Sequence, residues 1–231
     1  METHREHNWY IENIAEFEQA SSHGDFYCAD FVYESVFRDD LEQAGYVHIR
    51  FAPEIGSRDL RRAMLVLAGQ LSVRHPEPLT TRWALRFDQQ ITSRFHRDGG
   101  PDESYLLLGY EPSSVASEVF IADFSRAAAA ENITPDAYLA RYNLMIATDA
   151  ERLSPYVTRL SGFDSRVPNL LVINNSASRL GVFHRAAVLV PLAGERRIIN
   201  SVQIAPASLP GENLSPDDRK NFLVTEEISG P

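Results

Sequence analysis

Two histidines and one aspartate form the most informative pattern in the sequence. His96 and Asp98 stand two residues apart, and His184 follows much later in the chain. In an extended segment, residues i and i+2 point to the same side, so His96 and Asp98 can bind one ion. Two imidazoles and one carboxylate are the ligand set that holds Fe(II) on one face and leaves the opposite positions open for a co-substrate and dioxygen. The pattern therefore predicts a metal site with catalytic chemistry.

The residues around this pattern support the prediction. Gly99 and Gly100 permit the chain to bend away from the ion. His184 lies in the apolar, β-branched run 181–190, which is typical of a strand that leaves a loop. A His-x-Asp triplet alone is a weak signal, because it also arises by chance on a protein surface. A solvated triplet together with a core histidine is thus the alternative, and the combined pattern favours the metal site.

With these motifs the chain resembles the iron(II)/2-oxoglutarate-dependent oxygenase superfamily, in particular its phytanoyl-hydroxylase-like or small bacterial members. That family shows a His-x-Asp, a distal His and, shortly after it, an Arg in this order. The similarity runs from about Thr81 to Ala205 and includes the segments 169–175 and 183–186. Many members carry a Ser or Thr two residues after the anchoring Arg, whereas Ile198 and Ile199 occupy those places here.

The resemblance implies a specific chemistry. Fe(II) would be held by His96, Asp98 and His184, and 2-oxoglutarate would bind the metal as co-substrate. Dioxygen would then oxidise a substrate C–H bond, with release of succinate and carbon dioxide. The carboxylate at Asp98 favours hydroxylation or another oxidation over halogenation, because related halogenases carry a small residue there. Desaturation, cyclisation and epimerisation use the same ligands, and the sequence does not separate them.

An arginine is expected to bind the distal carboxylate of 2-oxoglutarate, because its planar guanidinium can bind a carboxylate bidentately and stays charged. Strand alternation distinguishes the two candidates, Arg196 and Arg197. One face carries Arg197, Ile199, Ser201 and Gln203, and the other carries Arg196, Ile198, Asn200, Val202 and Ile204. The first face has the polar groups that a reaction cavity needs, which favours Arg197. Ser201 and Asn174 are further candidates for binding 2-oxoglutarate.

The segment 82–91 contains candidate substrate-binding residues. Its side chains alternate between an apolar row and a small or polar row. If the strand runs unbroken to His96, Arg86, Asp88 and Gln90 share the parity of that ligand and line the mouth of the metal cavity. These groups would suit a small polar metabolite such as an amino acid or a derivative. An exposed strand face with paired charges is the alternative.

Composition limits the classes of partner. The net charge of −10 argues against nucleic acid or an anionic membrane surface as the main partner. Cys28 is the only cysteine, which excludes an internal disulfide and fits a reducing compartment. No apolar run is long enough to span a bilayer. We therefore expect a cytoplasmic enzyme that binds a small-molecule substrate and dioxygen, with no nucleic acid or membrane partner; its oligomeric state is not indicated.

The order of predicted elements indicates one domain, residues 1–231, that is mainly β with flanking helices. The expected fold is a double-stranded β-helix, a jelly-roll-like, cupin-like barrel with N-terminal helices. Residues 1–80 would form helical support with an early strand, with helices over 30–43 and 57–71. Residues 81–205 would form the barrel core with a helical insert over 125–148, and 206–231 an irregular tail. A cupin-like metal enzyme that does not use 2-oxoglutarate and a non-catalytic binding barrel are the two alternative functions.

Overall fold

The computed structural model describes residues 8–11, 27–143 and 151–228. Its strands are β1 (Asn8–Ile11), β2 (Tyr46–Phe51), β3 (Leu79–Asp88), β4 (Tyr105–Tyr110), β5 (Ser117–Ala122), β6 (Val157–Arg159), β7 (Asn169–Asn174), β8 (Phe183–Val188) and β9 (Ile198–Pro206). Its α-helices are α1 (Tyr27–Val36), α2 (Ser57–Arg74), α3 (Phe124–Ala130), α4 (Pro135–Arg141) and α5 (Pro216–Val224). The predicted class, mainly β with flanking helices, is confirmed.

The strands form two sheets that enclose a common interior. The larger sheet has the order β1-β2-β7-β4-β9-β3, and the smaller one has the order β6-β5-β8. All neighbouring strands are antiparallel except the β1–β2 pair. A buried cluster contains Leu106 and Ile199 of the larger sheet together with Val119 and Ile121 of the smaller sheet. The apolar residues between the sheets therefore hold the two layers together.

The opposite face of the larger sheet packs against helices. Alternate residues of β9, Val202 and Ile204, belong to a second cluster that includes Leu60 and Leu67 of α2. Because side chains alternate along a strand, β9 contributes to the inter-sheet interior through Ile199 and to the helix-covered face through its neighbours. Alternate residues of β9 thus face either the space between the sheets or the helical layer.

Several predicted boundaries differ from those in the structure. The helix expected over 30–43 ends at Val36, and the second helix continues to Arg74. The expected irregular tail is wrong in part, since it contains α5. The Ser215 side chain caps this helix by accepting a hydrogen bond from the Asp218 N–H, and Pro216 occupies its first turn, a favourable start for a helix. The helical insert contains α3 and α4, and the end of the predicted segment, 144–148, lies outside the described residues.

In the described part of the chain, no helix combines the length and the apolar character needed to cross a membrane. The longest helix, α2, instead buries one stripe of side chains against the sheet, including Leu60, Met64, Leu67 and Leu71. This amphipathic pattern is that of a helix on the surface of a globular domain. The helices therefore cover the sheet that carries much of the candidate site, and the site itself lies on the other side of that sheet.

Candidate metal centre and its cavity

The structure brings His96, Asp98 and His184 together. One ligating atom from each side chain lies within 4.8 Å of the others. The Asp98 Oδ1 atom is 3.4 Å from His96 Nε2 and 3.7 Å from His184 Nε2. An ion about 2.1 Å from each ligand atom would separate neighbouring ligand atoms by about 3 Å, so the cluster would contract around a bound ion. The donor set and its spacing therefore fit a single metal ion.

Backbone pairing places the two histidines opposite each other. The His96 N–H donates to the His184 carbonyl at 3.1 Å, and the His184 N–H donates to the His96 carbonyl at 3.1 Å. The Ser93 N–H donates to the Ala186 carbonyl at 2.9 Å, so this segment pairs along β8 as an irregular fourth strand of the smaller sheet. Strand alternation then directs Asp98 to the same side as His96.

A bend after the aspartate turns the chain away from the cluster. Gly100 has a φ of +124°, a conformation that favours glycine. A Cβ atom at this position would also collide with the Gln203 side chain. The Gln203 Nε2 atom donates to the Gly99 carbonyl at 2.7 Å and thereby holds the bend against β9. The glycine pair thus has the role that its position in the sequence indicated.

Electrostatics favours the ligating protonation state of Asp98 and His184. The hydrogen bond with Asp98 raises the pKa of His96, and burial lowers the pKa of His184 to about 4. Burial acts to raise the pKa of Asp98, but the hydrogen bond from His96 and electrostatic interactions with the two histidines lower it overall. At neutral pH the cluster therefore contains a carboxylate and, in His184, a neutral imidazole, which are the ligating forms.

The tautomer of His96 follows from its second nitrogen. Its Nδ1 atom lies 2.7 Å from the Arg94 carbonyl oxygen, which can only accept a hydrogen bond. When Nδ1 carries the proton, the Nε2 lone pair is directed to the cluster. A hydrogen bond of this kind fixes the orientation of a ligating imidazole and increases its basicity.

A cavity of about 250 Å³ adjoins the cluster. Apolar and aromatic side chains form most of its wall. Its lining consists of Phe87, Gln89, Ser93, His96, Asp98, Leu108, Tyr110, His184, Ala186 and Ile199. Only Gln89, Ser93 and Tyr110 add polar groups to the three candidate ligands, so a bound molecule would find few directional contacts near the cluster.

Arg197 lies buried beside this cavity and contacts two of the residues that line it. Its Nη1 atom donates to Gln89 Oε1 at 2.5 Å, and its guanidinium lies 5.2 Å from the centroid of the Tyr110 ring. Its Nε atom donates to Ser117 Oγ at 3.0 Å. The Nη2 atom is buried and has no hydrogen-bond partner among the described residues. An unpaired donor of a buried cation is costly, and an anionic ligand would satisfy it.

The other residues predicted to bind the co-substrate lie elsewhere. Arg196 is exposed, and its carbonyl accepts a hydrogen bond from Ser113 Oγ at 2.7 Å. Ser201 is buried, and its Oγ atom accepts from Trp83 Nε1 at 3.3 Å without forming part of the cavity lining. The Asn174 Nδ2 atom donates to the Arg179 carbonyl at 2.7 Å, so this amide stabilises a turn.

The predicted substrate row is not part of the cavity wall. The Arg86 guanidinium forms a bidentate pair with Glu111 at 3.0 Å on the helix-covered side of the sheet. Asp88 Oδ1 accepts from the Arg197 backbone N–H at 3.0 Å, and Gln90 Nε2 donates to the Glu195 carbonyl at 3.1 Å. The expectation depended on an unbroken strand, and β3 ends at Asp88, so its parity does not continue to His96.

Sequence reasoning missed most of the polar residues around the cavity. The sequence patterns do not single out Gln89, Ser93, Tyr110 or Ser117. Phe87 lies in the row that was interpreted as apolar packing, and this row faces the interior. Gln89 is two residues after Phe87, so strand alternation directs both side chains to the same face, and this signal could have identified Gln89.

Comparisons with known proteins give remote structural likenesses. No model of a known protein family matches the sequence, and no curated protein matches it either. The non-haem iron oxygenase OrfP, solved with Fe and alpha-ketoglutaric acid, is 12% identical, with 82% of each chain covered and a TM-score of 0.49.

Two other solved structures are similar at the same level. An asparagine oxygenase, solved with Fe(II), hydroxyasparagine and succinate, is 8% identical over 85% of this chain and 92% of that one, with a TM-score of 0.46. A taurine dioxygenase from Burkholderia xenovorans is 9% identical over 80% and 87% of the two chains, with a TM-score of 0.42. Because all three TM-scores are below 0.5, the assignment of a chemistry depends on the residues of the site itself.

Proposed function

We propose that the protein is a non-haem Fe(II)/2-oxoglutarate-dependent dioxygenase built on a double-stranded β-helix. The observation that carries the proposal is the joint geometry of the metal cluster and Arg197. His96, Asp98 and His184 converge at one cavity, and a buried arginine with an unpaired donor lies beside that cavity. The sequence resemblance to this superfamily supports the same chemistry.

In this proposal His96, Asp98 and His184 ligate Fe(II). Two imidazoles and one carboxylate leave the remaining coordination positions open, as non-haem Fe(II) oxygenases require. With Fe(II) and 2-oxoglutarate bound, the centre supplies oxidation of a C–H bond by dioxygen, coupled to formation of succinate and carbon dioxide. The apolar wall formed by Leu108 and Ile199 limits the access of water to the reacting atoms.

Arg197 binds the distal carboxylate of 2-oxoglutarate in this proposal. Gln89 and Ser117 hold two of its nitrogens, so the guanidinium has a fixed orientation before the ligand arrives. The unpaired Nη2 atom is the donor available for a carboxylate oxygen. Ser117 also supplies a hydroxyl next to the arginine, where the resemblance suggests a Ser or Thr and the chain has Ile199.

The substrate is proposed to be a small polar metabolite, such as an amino acid or a derivative, that is hydroxylated at a C–H bond near the metal. A cavity of about 250 Å³ suits small ligands, and the net charge of −10 gives no general attraction for polyanions. Screening amino acids and related compounds for substrate-dependent succinate formation tests this class. Turnover coupled only to nucleic acid or to a fatty acyl compound would exclude it.

An anaerobic titration tests the core of the proposal. Fe(II) is added to the protein, 2-oxoglutarate follows, and visible absorption reports the metal-to-ligand charge transfer of the chelate. Binding of both, with a band that appears only when both are present, supports the dioxygenase. Fe(II) binding without 2-oxoglutarate binding would instead indicate a cupin-like metal enzyme, and the absence of Fe(II) binding would indicate a non-catalytic barrel.

A further inference from the structure

The backbone of Asp98 is held at two points by one buried side chain. Asn175 Oδ1 accepts a hydrogen bond from the Asp98 N–H at 3.0 Å, and Asn175 Nδ2 donates to the Asp98 carbonyl at 3.1 Å. Asn175 is fully buried. One side-chain amide thus forms hydrogen bonds with both backbone polar groups of Asp98. Asp98 carries the only carboxylate of the metal cluster.

The Asn175 residue is itself fixed by its neighbours. Its backbone N–H donates to the Ser104 carbonyl at 2.9 Å, and its Nδ2 atom donates to Ser104 Oγ at 3.0 Å. Its carbonyl accepts from Arg97 Nε at 2.6 Å, so the residue that precedes Asp98 is attached to the same point. These contacts leave the amide little freedom to rotate, because each alternative orientation would break several buried hydrogen bonds.

The two residues that follow Asp98 explain why its backbone needs hydrogen bonds from another segment. Gly99 and Gly100 lack side chains, so they contribute no packing of their own next to Asp98. Gln203 donates to the Gly99 carbonyl at 2.7 Å but to no atom of Asp98 itself. Among the described residues, Asn175 therefore provides the side-chain hydrogen bonds to the Asp98 backbone.

We propose that Asn175 is a positioning residue that sets the Asp98 carboxylate for metal binding. This inference rests on the proposed metal site. The Asp98 side chain must present its oxygen to both imidazoles, and a displacement of its Cα atom would move that oxygen away from the histidines. Mutation of a residue that hydrogen-bonds to a metal ligand and orients it typically lowers metal affinity or activity by about 10–100-fold.

Asn174 provides a matched comparison within the same turn. It is also a buried asparagine, and its amide contacts the Arg179 carbonyl and the Ser176 N–H but not Asp98. Removing either amide takes buried hydrogen bonds from the fold. Only the removal of the Asn175 amide should weaken metal binding. A comparison of the two variants therefore separates positioning of the Asp98 ligand from ordinary stabilisation of the turn.

The experiment measures binding of Fe(II) alone under anaerobic conditions to the wild-type protein, Asn175→Ala and Asn174→Ala. We expect Asn175→Ala to weaken Fe(II) binding about 10–100-fold and Asn174→Ala to change it less than about threefold. Unfolding midpoints are recorded in parallel and should fall similarly in both. Equal Fe(II) affinity in Asn175→Ala and the wild type would overturn the inference, as would an equal loss in both variants. Failure of the wild type to bind Fe(II) would instead reject the proposed function.

A second variant and a second measurement cover the case in which Asn175→Ala does not fold. Asn175→Ser keeps a hydroxyl near Ser104 but is too short to span both backbone groups of Asp98, and the same loss of Fe(II) affinity is expected. Hydrogen exchange of the metal-free wild type requires no variant. The Asp98 amide should be protected relative to the amides of Gly99 and Gly100, and exchange as rapid as theirs would contradict the anchor.

Discussion

Two buried arginines lie on opposite sides of the larger sheet, and their surroundings differ in one decisive respect. Arg86 faces the helices and pairs bidentately with Glu111, while Arg61 of α2 lies 4.0 Å from the same carboxylate. Arg197 faces the interior, bonded to neutral groups of Gln89 and Ser117. The nearby Asp88 carboxylate accepts from the Arg197 backbone N–H, and its charge stabilises the guanidinium from a distance, without the bidentate pairing that Arg86 has.

The comparison shows how a structural cation can be distinguished from a binding cation. A buried charge is costly unless it is paired, so a protein that keeps one without an anion needs a compensating role for it. The Arg86 charge is compensated within the fold. Burial lowers the pKa of Arg197, and the neighbouring Tyr110 and Asp88 oppose this shift only in part. The Nη2 donor has no partner among the described residues, and in the proposed function a ligand would supply one. In the proposed function the helix-covered face therefore contributes stability and the interior face contributes the chemistry.

The largest expected effect tests the interior face through its metal ligands. We expect His96→Ala, Asp98→Ala and His184→Ala each to abolish substrate-dependent succinate formation, because an open catalytic metal site tolerates no missing ligand. The free energy of unfolding should change by only about 1 kcal/mol, because these side chains contribute less to packing than to the site. Activity assays and denaturant unfolding check the two parts.

His48→Ala is the control for this prediction. His48 is buried, and its Nε2 atom lies 2.9 Å from Asn169 Oδ1 in the body of the sheet. The variant should lose stability and retain Fe(II) binding. Wild-type Fe(II) affinity in all three ligand variants would reject the metal site.

The next effect concerns the helix-covered face and appears in stability. Arg86→Ala should lower the free energy of unfolding by about 3–5 kcal/mol, because Glu111 would remain buried without its main partner. The double variant Arg86→Met/Glu111→Leu should recover part of this loss, since it removes both charges of the pair but takes the Glu111 carboxylate away from buried Arg61. Denaturant unfolding gives both values. A loss in the double variant as large as in Arg86→Ala would show that the ion pair is not the cause.

The sequence was sufficient to predict the convergence of the ligands, because alternation along an extended chain is a local rule. The same rule places Arg197 and Ile199 on the interior face of β9. It failed for Arg86, because an alternating pattern gives two faces without stating which one is interior, and β3 ends before it reaches His96. The broad class could be predicted from the order of elements. The start of α5 had a recognisable signal in Ser215 and Pro216, which the many loop-forming residues nearby obscured.

Strand alternation and the order of elements do not identify residues that hydrogen-bond to the backbone of a distant segment. Asn175 and Asp98 are far apart in the chain, and the amide binds peptide groups that every residue possesses. No pairing of side-chain types in the sequence therefore indicates the contact. Ser117 was missed for a related reason, since its role depends on the neighbouring sheet bringing it to Arg197. Tertiary structure supplied these positions.

A smaller effect is expected for the unpaired arginine itself. Arg197→Ala should raise the 2-oxoglutarate requirement about 10–100-fold, because a charge-assisted hydrogen bond contributes about 1.5–3 kcal/mol. Stability should not fall as it does in Arg86→Ala, since no buried carboxylate loses its partner. Arg196→Ala, which alters an exposed side chain, should leave the requirement unchanged. The reverse ranking of the two arginine variants would mean that Arg196 binds the carboxylate.

The smallest expected effect distinguishes the two tyrosines at the ends of β4. Tyr110 lines the cavity beside Arg197, and burial raises the pKa of its hydroxyl to about 12, so the group is neutral and can donate a hydrogen bond at physiological pH. Tyr105 instead donates to Glu103 at 3.0 Å and belongs to the helix-covered cluster.

Tyr110→Phe should raise the 2-oxoglutarate requirement about fivefold, the effect of losing about 1 kcal/mol, and leave Fe(II) affinity unchanged. Tyr105→Phe should affect only unfolding. Equal 2-oxoglutarate requirements in Tyr110→Phe and the wild type would show that the hydroxyl contributes nothing to co-substrate binding and that Arg197 acts with Gln89 and Ser117 alone.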